Sequence, residues 1–124
     1  MRRDAFTWWA GEGQEEAVHS VEDGKLQFIL FLTRNPFEIR LHFRTRDRHI
    51  GLARIDNAHQ HHNPDGTEII GQPHLHLFRE GYGNQLPWAE PIDWYDTTNP
   101  TQTLNRFLDI IHTRFPGGIQ PELI

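Results

Sequence analysis

The sequence predicts an α+β fold in which an antiparallel β-meander of about five strands carries a C-terminal helix packed on one face. Three observations predict it. β-Rich segments recur between residues 15 and 80, Asp23-Gly24 separates the first two as a tight hairpin turn would, and an amphipathic segment with readable helix ends follows residue 99. The 124 residues contain no internal repeat, low-complexity tract or linker. We therefore predict a single domain over residues 1–124.

The strands follow from the spacing of apolar residues. Residues 25–34 are apolar on both faces, as a central strand is, and residues 37–45 alternate strictly between apolar and polar. Residues 57–72 are predicted to be a loop, because Asn63-Pro64-Asp65-Gly66 is a turn sequence. The predicted strands are 15–22, 25–34, 37–45, 49–56 and 73–80. The apolar positions of the third strand, predicted to face inward, are Phe37, Ile39, Leu41 and Phe43.

The sequence contains signals for both ends of the predicted C-terminal helix. Asn99 suits the N-cap, Pro100 suits the first helical position, and Pro116-Gly117-Gly118 should end the helix. The segment between residues 80 and 99 is rich in Gly and Pro and is predicted to be mostly irregular. The apolar stripe expected to pack on the sheet consists of Leu104, Phe107, Leu108, Ile111 and Phe115.

Composition excludes several classes of protein. The absence of cysteine removes disulfides and thiolate ligands, and it leaves His, Asp and Glu as the metal-binding side chains. The longest apolar run, residues 28–32, is too short to span a membrane, and no apolar signal core follows the two N-terminal arginines. We therefore expect a cytoplasmic protein with no membrane partner. The net charge of -5 argues against strong nonspecific nucleic-acid binding, although residues 34–54 carry six arginines against two acids.

The candidate site is a concentration of histidines, five of the nine lying between residues 59 and 76. In "PHLHLF", the period of two places His74 and His76 on one face of a strand and Leu75 and Leu77 on the other. Since the helix is expected to cover the leucines, we predict that the histidines lie on the uncovered face. The side chains expected to join them are His42, Arg40 and Arg44 from a nearby strand, and one or more of His59, His61 and His62 from the loop.

The working interpretation is metal-free acid–base chemistry on a phosphodiester, with RNA or a phosphate-bearing small molecule as the ligand. Imidazoles with a pKa near neutrality can share the roles of general base and general acid, and arginine can stabilise the charge that develops on phosphate. The predicted catalytic residues are His74, His76, His42, Arg40 and Arg44, and no cofactor is needed. The motifs of the histidine-triad proteins and the two-histidine phosphoesterases are not present, so only the general chemistry supports this interpretation.

The alternatives are a metal site and a protein-interaction surface. His74-x-His76-x-x-x-Glu80 matches the core of the cupin metal motif, whose His and Glu ligands suit a divalent metal, although the spaced glycines of that motif are missing. Without any chemistry, the histidines would form a polar surface or bind a protein partner. Whether the protein is an enzyme stays open at this point.

The stretch from Asn63 to Pro91 resembles a small uncharacterised family from bacteria and prophages. The shared features are an N-P-D-G turn, a P-H-L-H strand, an E-G-Y-G turn and a W-A-x-P segment, present here as Asn63 to Gly66, Pro73 to His76, Glu80 to Gly83 and Trp88 to Pro91. The resemblance implies a stand-alone accessory protein and no assigned activity. By association with such genes, it also suggests a role as a toxin or inhibitor in host–phage conflict.

Overall fold

Ten strands and one helix lie within the residues that the computed structural model describes, which are 6–8, 13–20, 26–57, 60–82, 86–113 and 119–121. In chain order the elements are β1 (Phe6–Trp8), β2 (Gln14–His19), β3 (Gln27–Asn35), β4 (Glu38–Thr45), β5 (Gly51–Asp56), β6 (Gln60–His62), β7 (Glu68–Ile70), β8 (His74–Leu77), β9 (Ala89–Pro91), α1 (Pro100–Ile110) and β10 (Ile119–Pro121).

Six of the strands form the main sheet, in the order β2-β3-β4-β5-β8-β9, and all neighbours pair antiparallel. Strands β2 to β5 follow one another along the chain, and β8 joins β5 after an intervening hairpin of β6 and β7. The predicted α+β fold, with an antiparallel meander and a C-terminal helix, is therefore confirmed. The number of strands is larger than the predicted five or so.

One face of the sheet is apolar and is covered by α1. Strict alternation in β4 buries Ile39, Leu41 and Phe43, and cross-strand pairing places Ile55 directly opposite Leu41. Leu75 of β8 belongs to the same cluster, so the leucine side of that strand faces the core. The whole buried cluster consists of Trp8, Leu30, Leu32, Ile39, Leu41, Phe43, Ala53, Ile55, Leu75, Ile92, Leu104, Phe107 and Leu108.

The beginning of the helix lies where the sequence predicts it. The Asn99 side-chain oxygen accepts a hydrogen bond from the Gln102 backbone N–H at 3.2 Å, and Pro100 is the first helical residue. Of the predicted stripe, Leu104, Phe107 and Leu108 are buried, Ile111 packs partly buried against the core, and Phe115 lies outside the described residues, as do the Asp23-Gly24 turn and the Pro116–Gly118 stop. The described part of the chain contains no helix long and apolar enough to cross a membrane.

Three local predictions differ from the structure. Phe37 is 86% exposed rather than inward, because it belongs to the turn between β3 and β4. Residues 57–72 are not only a loop, since they contain the β6–β7 hairpin. Residues 89–91, within the segment predicted as mostly irregular, form the edge strand β9. These strands have three residues each, which is too short for an alternating pattern to be recognised.

Removing a large side chain from the interface between α1 and the sheet should destabilise the protein strongly. Phe107 is 0% exposed, so we expect Phe107→Ala to lower the free energy of unfolding by about 3–5 kcal/mol, through lost burial and the cavity that remains. Urea unfolding followed by circular dichroism measures the change, and Asn105→Ala, at an exposed position of the same helix, is the control. A loss below about 1 kcal/mol for Phe107→Ala would show that this stripe does not pack on the sheet.

Candidate functional site

His74 and His76 share one face of β8, and Leu75 lies on the other. In the pairing of β8 with β5, His76 stands opposite Arg54, whereas Leu75 stands opposite the core residue Ile55. Directly opposed residues of an antiparallel pair lie on the same face of the sheet. The alternation of "HLHL" therefore separates the imidazoles from the apolar core, as the sequence predicts.

The histidine face of β8 is buried, which corrects the prediction that it is uncovered. His74 is 1% exposed and His76 is 2% exposed. The cover is the β6–β7 hairpin, in which His61 stands opposite Ile69. Ile69 is buried and His61 is half-buried, while their neighbours along both strands are exposed. The hairpin thus places the imidazole of His61 on the two histidines of the sheet, with Ile69 on the same side of the hairpin as His61.

The rings of His61, His74 and His76 are in mutual contact. Their centroids are separated by 4.7 Å between His61 and His76, 4.9 Å between His74 and His76, and 5.3 Å between His61 and His74. One ring nitrogen from each histidine lies within 4.8 Å of the other two. Among the described residues, this is the one group of three or more His, Asp or Glu side chains whose atoms are close enough to hold a metal ion.

Backbone carbonyls fix the tautomer of each imidazole. One ring nitrogen of every histidine in the cluster lies within hydrogen-bond distance of a carbonyl oxygen, and a carbonyl only accepts, so that nitrogen carries the proton. The three bonds run from His74 Nδ1 to Gln72 O (3.1 Å), from His76 Nδ1 to Leu86 O (2.7 Å) and from His61 Nε2 to Pro87 O (2.8 Å). In a neutral imidazole the other nitrogen then holds a lone pair, which assigns lone pairs to Nε2 of His74, Nε2 of His76 and Nδ1 of His61.

The lone pair of His76 has no donor among the described residues. Its Nε2 is buried and makes no hydrogen bond within that part of the chain. A buried acceptor without a partner costs about 1–3 kcal/mol, and such atoms in native structures have a specific cause. Ligation of an ion shared with the two neighbouring imidazoles is a cause that fits the surroundings of this atom.

Burial keeps His76 neutral. Desolvation is the largest cause that lowers its pKa, to about 4, with smaller contributions from the positive charge of Arg54 and from the other two imidazoles. The hydrogen bond to the Leu86 carbonyl acts in the opposite direction and raises the pKa. At physiological pH no proton therefore blocks the lone pair on Nε2, and His76 is available as a neutral ligand.

Leu86 supplies its carbonyl from a strained backbone conformation. Its φ is +54°, in the left-handed region that costs an L-residue roughly 1–2 kcal/mol, and its side chain is 1% exposed. This residue accepts the shortest of the three histidine hydrogen bonds, at 2.7 Å. Strain of this kind persists where the surrounding structure imposes it, and it often accompanies function. Here it orients the carbonyl that sets the tautomer of His76.

Asn63 fastens the hairpin to the edge of the sheet. Its Nδ2 donates to the Ala89 carbonyl at 2.9 Å, and its Oδ1 accepts from the Ala89 N–H at 2.8 Å, as a neighbouring strand would. The same oxygen lies 3.1 Å from His61 Nε2. Asn63 also begins the N-P-D-G turn, in which the Gly66 N–H donates to the Asn63 carbonyl at 2.9 Å. The turn sequence therefore places His61 over the sheet.

Arg54 of β5 is the charged side chain next to the cluster on the sheet. It stands opposite His76 on one side and opposite His42 on the other. Its Nε is buried and has no hydrogen-bond partner in the described ranges of the chain. Its positive charge lowers the pKa of His42, for which desolvation is the larger cause, as well as the pKa of His76.

His42 lies on the predicted face but not in the cluster. Arg54 separates it from His76, which makes the two histidines two strands apart, or roughly 10 Å at a strand spacing of about 4.8 Å. Glu80 is exposed in the turn after β8 and is not a member of the three-histidine group. The structure thus brings together His74, His76 and His61, which is one of the loop histidines expected to join them, and it does not bring Glu80 to the group.

The predicted arginines make other contacts. Arg40 is exposed and forms an ion pair with Glu38. Arg44 lies 3.4 Å from the Glu15 carboxylate and 3.2 Å from His49 Nδ1. All of these partners belong to β2, β4 or the turn that follows β4, and none of them is one of the three clustered histidines.

Among the loop histidines that the structure describes, only His61 belongs to the cluster. His62 is exposed and lies 3.4 Å from the Glu68 carboxylate, and His59 lies outside the described residues. A signal for His61 was present in the sequence: "HQHHNPDGTEII" has turn residues between two short segments, and folding them as a hairpin places alternate residues on one face. The sequence alone does not place Arg54 next to the cluster, because that position depends on the order of the strands in the sheet.

The chain belongs to the protein family described as "Family of unknown function (DUF6978)". The model of this family matches residues 3–113, which is most of the chain and includes all three clustered histidines. This agrees with the resemblance to an uncharacterised family. No curated protein and no solved structure is significantly similar to the chain.

The depressed pKa of His76 should make the metal-free protein sensitive to acid. The pKa of an unfolded histidine is near 6.5, whereas burial lowers the pKa of native His76 to about 4, so the unfolded chain binds this proton first as the pH falls. The free energy of unfolding should therefore decrease between about pH 6.5 and pH 4, by roughly 3 kcal/mol from this residue. Urea unfolding in the presence of chelator measures it. His76→Gln, which cannot titrate, should show a shallower slope, and an unchanged slope would contradict the assignment.

Asn63 should stabilise the hairpin through its paired hydrogen bonds to Ala89. Asn63→Ala leaves the Ala89 N–H and carbonyl without these partners, so we expect a loss of about 1–3 kcal/mol in the free energy of unfolding. Amide exchange of Ala89 should become faster in the same variant. Asn57→Ala, at an exposed position, is the matched control and should change neither quantity. Equal stability of the two variants would show that Asn63 does not anchor the hairpin.

Proposed function

We propose that the protein is a metal-binding protein that holds one divalent transition metal ion through His61, His74 and His76. The observation that carries the proposal is the buried Nε2 of His76, which has no hydrogen-bond partner among the residues that the structure describes and belongs to the cluster of three imidazoles. Imidazole is a good ligand for zinc, copper, nickel and iron, and three histidines form a complete protein ligand set for a catalytic type of zinc site.

The hydrogen bonds around the cluster support this proposal. Metal-binding histidines commonly donate their second ring N–H to a carbonyl or carboxylate, which fixes the tautomer and the ring orientation. All three histidines here donate to backbone carbonyls. Three imidazole nitrogens bound to one tetrahedral ion at about 2.0–2.1 Å lie about 3.3 Å apart, so nitrogens now within 4.8 Å need to approach by about 1.5 Å at most.

The metal-free acid–base interpretation has less support. A general acid must carry a proton at the working pH, whereas the pKa of His76 is near 4. His74 and His76 are also 1% and 2% exposed, so neither ring is presented directly to a phosphodiester in solution. The arginines that this interpretation needs, Arg40 and Arg44, contact acidic side chains elsewhere on the sheet. The protein-interaction alternative is supported by nothing specific to these three residues.

Metal binding is tested by titrating chelator-treated protein with Zn²⁺ in a calorimeter. We expect one ion per chain, and at a free concentration of 100 times Kd an increase of about 2.7 kcal/mol in the free energy of unfolding. His61→Gln, His74→Gln and His76→Gln should each weaken binding more than about a hundredfold, because changing an outer hydrogen-bond partner alone already costs 10–100-fold. His62→Gln alters an exposed histidine next to His61 and serves as the control.

The outcomes separate the interpretations. A stoichiometry near zero, or affinity that His62→Gln reduces as much as His61→Gln does, would refute the metal site. RNA cleavage that survives chelator and is lost in His74→Gln would establish the acid–base interpretation instead. If the protein bound no metal, cleaved nothing and kept its biological effect in the histidine variants, the interaction alternative, including the host–phage role, would be favoured.

A further inference from the structure

We infer that the metal held by His61, His74 and His76 binds an oxyanion, such as a phosphate or carboxylate group, at its remaining coordination position, and that Arg54 binds the same oxyanion. This inference rests on the proposed metal site and names the class of ligand that the site takes. It makes the protein an anion-binding metalloprotein rather than one with a closed structural ion.

The first argument is the number of protein ligands. Structural zinc sites are closed by four protein side chains, whereas sites with three protein ligands leave a position for water or substrate. Within the described residues, the cluster contains three histidines and no carboxylate. An ion bound there would have a position free for an oxygen ligand.

The second argument is the placement of Arg54. It stands directly opposite His76 on the neighbouring strand, and opposed side chains have Cβ atoms about 4.5–5.5 Å apart. Its buried Nε–H has no acceptor in the part of the chain that the structure describes. A guanidinium presents N–H groups in a fixed fork that matches the oxygens of a phosphate or carboxylate. An oxyanion between the metal and Arg54 would provide the acceptor that this N–H lacks.

The third argument is charge. The three imidazoles are neutral as ligands, so a divalent ion and Arg54 bring three positive charges to this face. Asp56 stands opposite His74 on the same face and brings one negative charge. The surplus favours an anion, and bound cations are often the largest local charges in a site. His61 is half-buried while His74 and His76 are almost fully buried, so the part of the cluster that solvent reaches belongs to the hairpin.

The experiment uses the full chain loaded with Co²⁺, whose visible spectrum reports changes in coordination. Inorganic phosphate, acetate and chloride are titrated separately into the loaded protein. We expect phosphate or acetate to change the cobalt spectrum with saturation, and the tighter of the two identifies the oxyanion class. Chloride, a single atom that cannot reach both the metal and Arg54, should bind at least tenfold more weakly.

Variants of Arg54 give the decisive comparison. Arg54→Gln should weaken binding of the oxyanion about ten- to a hundredfold, the value of a hydrogen bond to a charged group, while Co²⁺ affinity stays within a few-fold. Arg54→Lys keeps the charge without the fork and should be intermediate. Arg48→Gln removes an exposed arginine from the turn after β4 and should bind the oxyanion as wild type does.

Failure of this inference and failure of the metal site are distinguishable. If the protein binds no Co²⁺ or Zn²⁺, the metal site itself is refuted. If it binds Co²⁺ but phosphate and acetate act no more strongly than chloride, or if Arg54→Gln binds the oxyanion as tightly as wild type, only the oxyanion inference is overturned. Retained Co²⁺ binding in the Arg54 variants shows that they are folded.

Discussion

The arrangement of this site depends on one constraint: a buried imidazole must place its N–H on an acceptor. The carbonyls of Gln72, Pro87 and Leu86 meet that need for three histidines. Because the carbonyls can only accept, each choice of acceptor leaves the opposite ring nitrogen with a lone pair. The lone pair on the buried Nε2 of His76 has no hydrogen-bond partner among the described residues, which is unfavourable unless it shares a cation with the neighbouring imidazoles, and the low pKa of His76 shows how poorly this environment accepts a proton instead.

The rest of the fold holds the three histidines and their carbonyl acceptors in position. The pairing of β8 with β5 places Leu75 in the core cluster and turns the histidines to the opposite face. The β6–β7 hairpin then covers them, held by the two bonds from Asn63 to Ala89. Leu86 keeps a left-handed backbone while it presents its carbonyl to His76. The N-P-D-G turn thus positions the imidazole of His61, and the strained Leu86 orients the imidazole of His76.

Sequence periodicity predicts the long elements of this protein and the face on which each side chain lies. Strand β4 and helix α1 extend over 8 and 11 residues, enough for their apolar spacing to be recognised, and "HLHL" assigns its histidines to one face in the same way. Strands β6, β7 and β9 have three residues each and show no such pattern. The order of strands in a sheet also cannot be predicted from local sequence. For this reason His42 was expected beside His76, whereas the structure places Arg54 of β5 between them.

Nitrogen-15 NMR of the imidazole rings at neutral pH tests the central claim most directly, because the nitrogen shifts and their couplings to ring protons report tautomer and charge. In chelator-treated protein we predict a neutral His76 ring, with the proton on Nδ1 of His74 and His76 and on Nε2 of His61. One equivalent of Zn²⁺ should shift the three unprotonated nitrogens and leave the exposed His62 unchanged. A charged ring or the opposite tautomer at His76, or zinc-induced shifts confined to exposed histidines, would contradict this account.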